Sequence, residues 1–128
     1  MAPSPRFAQR AYTGAAIYGI LALAPQYFLE AKVNRDFPPA ITHPEYFYGF
    51  VGLALVWQFA FLLIAHDPVR YRALMPITWL EKLSFGGAAV VLMALGRIPS
   101  PVFALGLVDL ALGGLFVAAW VKTPRDVP

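Results

Sequence analysis

The chain of 128 residues has no cysteine. Disulfides, thiolate nucleophiles, cysteine-ligated zinc and iron–sulfur clusters are therefore excluded within it. Charge is scarce as well: 13% of residues are Asp, Glu, Lys or Arg, against roughly 25% in a soluble domain. Histidine occurs only at His43 and His66, at opposite ends of one long apolar segment, so no metal cluster is expected and no cofactor is called for. No GxSxG elbow, HExxH helix or dinucleotide fingerprint is present. Gly86-Gly87 and Gly113-Gly114 lack the spacing and the lysine of a phosphate-binding loop. The formal charge of +3 comes without a dense basic patch, which argues against nucleic acid as a partner.

What fills the space is hydrophobic. Apolar residues make up 59% of the chain, and the charges gather at the edges of long apolar runs, as they do in membrane proteins. Four such runs read as transmembrane helices, over residues 12–29, 45–65, 76–95 and 101–121. Each is near the approximately 20 residues needed to cross a bilayer. The expected fold is all-α: a polytopic membrane protein forming one integral membrane domain over 1–128, a four-transmembrane-helix bundle with both termini on the same side.

Local signals sharpen the boundaries. Arg6 and Arg10 followed by Ala22-Leu23-Ala24 resemble a secretory signal with its cleavage motif. Pro25 directly after the motif disfavours processing and three more spans follow, so the segment reads as a retained helix. Pro25 should kink it or loosen its last turns. Thr42-His43-Pro44-Glu45 fits a capping box, with Thr42 as N-cap and Glu45 three positions on. Ser100 reads as the N-cap of the last helix and Pro101 as its first residue. Residues 30–44 read as the longest connection, with residues 34–39 as loop, followed by an aromatic belt of Tyr46, Phe47, Tyr48 and Phe50.

Orientation follows from the basic residues. Arg6, Arg10, Arg70, Arg72, Lys82, Lys122 and Arg125 fall on the side of the termini, while Lys32, Arg35 and Arg97 fall on the other. Seven against three places both termini in the cytoplasm. Arg70, Arg72 and Lys82 form the clearest basic edge, for which contact with lipid headgroups is the expected role, Lys82 snorkelling outward. His66-Asp67-Pro68 reads as a helix end and turn.

Polar residues within the spans are costly and mark the place to look for function. At 1.5 Å per residue, Gln58 lies roughly 12 Å from the His66 end of its helix, and Glu81 roughly 7–8 Å beyond Pro76, deeper if that helix begins earlier. Tyr18 occupies a similar layer. These three are candidates for one polar pocket, although Glu81 also fits an interfacial position. Asp109 interrupts the apolar run 102–121, about 18 Å from its end, deeper than Glu81 and with no need to touch it. Gly106 and Gly113, three before and four after Asp109, share its face and permit close helix packing. Asp109 is accordingly either a structural acid at a tight helix contact or a group that handles a ligand, a proton or a substrate.

His43-Pro44-Glu45, the polar span around Gln58, Glu81-Lys82, and Asp109 followed by Gly113-Gly114 together resemble small four-helix bacterial membrane proteins of the DoxX-like and EXPERA-like kind. The resemblance covers nearly the whole chain in topology and implies the bacterial cytoplasmic membrane. On the EXPERA side it implies a bundle around a lipid- or sterol-like ligand, with isomerase activity in some members. On the DoxX side it implies a component of a membrane complex. The chain lacks the paired acidic pattern of the sterol enzymes, so no catalytic residue is carried over. The leading expectation is a small membrane binding or accessory protein. Its partners would be membrane lipids, together with a hydrophobic small molecule, a transmembrane partner or further copies of itself. A membrane-embedded acid–base enzyme using Glu81 or Asp109, and a subunit of an oligomeric transporter, are the alternatives.

Overall fold

The computed structural model describes residues 5–125, and these form helices and connections without a strand. The helices are α1 (Arg6–Leu23), α2 (Glu30–Asp36), α3 (Pro44–His66), α4 (Met75–Ala94) and α5 (Ser100–Lys122). Three stretches, Pro44–His66, Arg72–Ala94 and Ser100–Lys122, are long and apolar enough to cross a membrane. Helix α1 does not meet that standard; Arg6, Gln9, Arg10 and Thr13 make its first half polar. Large apolar side chains point outward all round, Leu21, Phe28, Leu53, Leu80 and Val121 among them. Such a surface suits hydrocarbon and not water, consistent with a membrane protein.

Proline and glycine set the helix ends. α1 gives way at Ala24 to a 3-10 turn, Ala24–Phe28, with Pro25 near its start. Proline supplies no N–H, and the Gln26 side chain donates instead to the Ala22 carbonyl at 2.9 Å. α4 stops at Gly96, the only described residue with a left-handed backbone, φ 68°. The Gly96 N–H donates to Met93 O at 3.0 Å and that of Arg97 to Leu92 O at 2.8 Å, the paired bonds of a Schellman motif. Gly96→Ala should cost about 1 kcal/mol, since a Cβ strains this conformation, and thermal unfolding in detergent would read the loss.

Three expectations are corrected. The capping box does not form: His43 is the N-cap of α3, Pro44 takes the first turn, and no side chain caps the helix. Proline in the first turn of a helix leaves fewer orphan donors to satisfy. Glu45 instead meets His43 Nδ1 at 3.3 Å. Likewise α5 begins at Ser100 with Pro99 as its N-cap. Residues 34–36, read as loop, belong instead to α2, which is tied to α3 where Tyr48 Oη donates to Glu30 Oε2 at 2.8 Å.

Packing is uneven. α4 and α5 lie tightly side by side, α1 packs against α3 and α5, and the backbones of α3 and α4 stay apart. The core occupies one end of the bundle, where Ala8, Tyr12, Ala15, Ala16, Phe61, Ile64, Met75, Phe116 and Ala119 are buried. Tyr12 stacks on Phe116 with centroids 4.1 Å apart and meets Phe61 edge-on at 5.9 Å. Thr78 Oγ1 donates to Met75 O at 2.6 Å, which leaves Tyr12 Oη as the donor in its 2.8 Å bond to Thr78. The phenol is thus satisfied inside an apolar plug.

Candidate functional site

Above this aromatic plug the bundle opens. Small residues make the space: Gly19 on α1, Ala54 on α3 and Ala22 on α1 line a cavity of about 100 Å³. Tyr18, Gln58, Glu81, Lys82 and Asp109 all face it, with Phe50 and Phe85 at its side. The four polar residues singled out from the sequence, on α1, α3, α4 and α5, therefore border a single space.

Gln58 comes closest to α1, where Gly19 makes room for it. A Cβ at Gly19 would collide with the Gln58 side chain. Gln58 is 1% exposed; its Nε2 donates to Ala54 O at 2.8 Å, and its Oε1 has no partner.

Lys82 departs from expectation. The sequence sends it outward to lipid headgroups, yet it is 4% exposed. Its Nζ lies 3.4 Å from Asp109 Oδ1, 3.8 Å from Glu81 Oε2 and 5.2 Å from the centroid of Phe61. A lysine snorkels when water is the nearest place for its charge; here two carboxylates and an aromatic face are nearer. Gly113 opens the way, since a Cβ there would stand 3.3 Å from Lys82 Cβ. Asp109 is consequently not isolated from Glu81, because the ammonium of Lys82 joins them.

The basic edge is likewise reassigned at Arg72. Its Nε donates to Thr123 O at 3.0 Å and its Nη2 to Trp120 O at 3.1 Å, with the guanidinium 4.3 Å above the Trp120 ring. Arg72 satisfies the last carbonyls of α5, where a cation also meets the negative end of the helix dipole. Only Arg70 of that trio remains exposed, its guanidinium 5.6 Å from the Tyr71 ring.

Gly106 and Gly113 both face α4. A Cβ at Gly106 would collide with that of Ala89, and one at Gly86 would come within 2.6 Å of Leu110. The Asp109 face is thus packed against α4 at Gly106, while Gly113 stays half-buried.

A second space adjoins the first. Phe50, Ala54, Glu81 and Phe85 also border a groove of about 560 Å³ between α3 and α4, whose other walls include Leu53, Trp57, Ile77 and Leu80. The groove is open to the outside of the bundle and apolar except at Glu81 and Ser84. Sequence reasoning missed Phe50 and Phe85 as site residues; both sit in apolar runs and carry no polar signal. Among the described residues no group of three or more His, Cys, Asp or Glu could hold a metal ion. No known protein family matches the chain, and no curated protein or solved structure matches it either.

Proposed function

We propose that this chain is a small integral membrane protein that holds a hydrophobic or lipid-like molecule in its bundle. The observation that carries this reading is the wall that the interior cavity shares with the apolar groove between α3 and α4, formed by Phe50, Ala54, Glu81 and Phe85. Ligand sites are concave and largely apolar, with few convergent polar groups, and an ionisable cluster within apolar helices marks function by default. In this reading α1 is a fourth crossing, both ends of the chain face the cytoplasm of a bacterium, and the groove opens sideways into the lipid tails.

Ala54 borders both spaces, so Ala54→Phe should block their junction. Protein purified from membranes should release a lipid-like molecule on organic extraction, found by mass spectrometry. The variant should retain its helical circular dichroism and lose most of that molecule. An empty parent protein, or a variant that keeps its cargo, would refute the reading. An enzymatic version rests on Glu81 and Asp109 facing the same cavity, where either could exchange a proton with the cargo; the amide variants would then abolish turnover of the extracted molecule.

The topology is open to a direct check because the chain has no native cysteine. In intact cells an impermeant maleimide should label Ala40→Cys, between α2 and α3, and should label Ala73→Cys, between α3 and α4, only after permeabilisation. The reverse pattern would invert the orientation, and labelling of both sites in intact cells would remove the crossing by α3.

A further inference from the structure

Two acceptors at the cavity wall lack a hydrogen-bond partner, Gln58 Oε1 and Glu81 Oε2. The orientation of Gln58 is not arbitrary: the Ala54 carbonyl needs a donor, so the amide nitrogen faces it and the oxygen is left over. Buried polar atoms of this kind are normally satisfied, and both ask for a donor. Charge points the same way. Two carboxyl groups, Glu81 and Asp109, face one ammonium, Lys82, at 3.8 and 3.4 Å. These distances exceed the approximately 2.7–2.9 Å of a tight charge-assisted bond, so Lys82 saturates neither acid.

Each class of occupant can be weighed against that wall. A plain hydrocarbon leaves both acceptors unmet. A carboxylate or phosphate head would set a further negative charge beside two acids. Water would meet the acceptors but would not fill the apolar groove on the other side of their shared wall. An ammonium carries up to three donors, and its positive charge would face two acids.

Building on the ligand-binding reading above, we propose that the occupant is a cationic amphiphile: a protonated amine seated among Gln58, Glu81 and Asp109, with its apolar tail lying in the groove between α3 and α4.

The test is native mass spectrometry of the full chain released from detergent micelles, titrated with dodecylamine, dodecanol or dodecanoate at neutral pH. Dodecylammonium should bind saturably, one per chain, with dodecanol weaker and dodecanoate weakest. Glu81→Gln should weaken dodecylammonium by about tenfold or more, the effect of losing a hydrogen bond to a charged group, and leave dodecanol nearly unchanged. Gln58→Leu should weaken both donor-bearing probes. Equal binding of the three probes to the parent protein, or a preference for dodecanoate, would overturn the amine assignment while leaving ligand binding intact. Saturable binding of none of them would overturn the ligand-binding reading as well. These comparisons among probes use the parent chain and do not depend on any variant folding.

Discussion

Lys82→Met will destabilise the protein by about 3 kcal/mol, the lower end of the range for removing one member of a buried ion pair. The lower end applies because the Glu81 and Asp109 side chains are not fully sealed, at 18% and 16% exposure. Methionine preserves the stem that passes Gly113, so the loss isolates the ammonium. Two carboxyl groups would then face each other across an apolar interior without a cation between them. Chemical or thermal unfolding in detergent measures the effect. The triple variant Lys82→Met, Glu81→Gln, Asp109→Asn removes every charge at once and should recover most of the stability, since a neutral cluster of similar volume avoids the desolvation of ions. A Lys82→Met protein as stable as its parent would mean that the ammonium does not bridge α4 and α5.

The second large effect belongs to the seam between those helices. Gly106→Ala will cost about 1–3 kcal/mol through overpacking, because the new methyl group would collide with Ala89 on α4. That loss exceeds the gain of up to about 1 kcal/mol that alanine brings over glycine in a helix interior. Ala89→Gly should rescue it: the methyl group simply moves from one helix to the other, and the pair should show a coupling of about 1 kcal/mol or more. Gly114→Ala on the same helix is the control. A Cβ there meets nothing within 4 Å, so that variant should unfold no earlier than the parent. If Gly106→Ala and Gly114→Ala behave alike, the close approach at Gly106 is not a determinant of stability.

Much of this arrangement was legible from residue types. Long apolar runs gave α3, α4 and α5, and Pro25 gave the place where α1 changes its winding, because a missing N–H acts locally. The layer shared by Tyr18, Gln58 and Glu81 followed from counting along helices, and they do border one cavity. Rotation about a helix axis was not legible in this way. It decides whether Lys82 turns outward to headgroups or inward to Asp109, and the partner that settles it lies on another helix.

Asp109 stays deeper than Glu81, but the gap read between them was too large because the count for Glu81 began at Pro76. Arg72 is bonded to the carbonyls of Trp120 and Thr123, so Arg72, and not Pro76, stands level with the end of α5. Counted from Arg72 and from Trp120, Lys82 and Asp109 lie about 15 and 16.5 Å along the stretch Arg72–Ala94 and along α5, and their meeting follows. The capping box failed because Pro44 moved the start of α3 by one residue, and a pattern with a fixed spacing does not survive such a shift.

The separation of the α3 and α4 backbones has a mechanical consequence. Helices α4 and α5, locked by glycine against alanine, behave as one stiff plate. α3 joins that plate through α1, through the Phe61–Phe116 contact at one end and through the Phe50–Phe85 contact at the other. A ring contact of this kind is worth only about 0.5–1.5 kcal/mol beyond its buried area, so the bundle is most compliant along the α3–α4 edge. Opening of the bundle is therefore expected first along that edge, where Phe50 meets Phe85, with the glycine seam still closed.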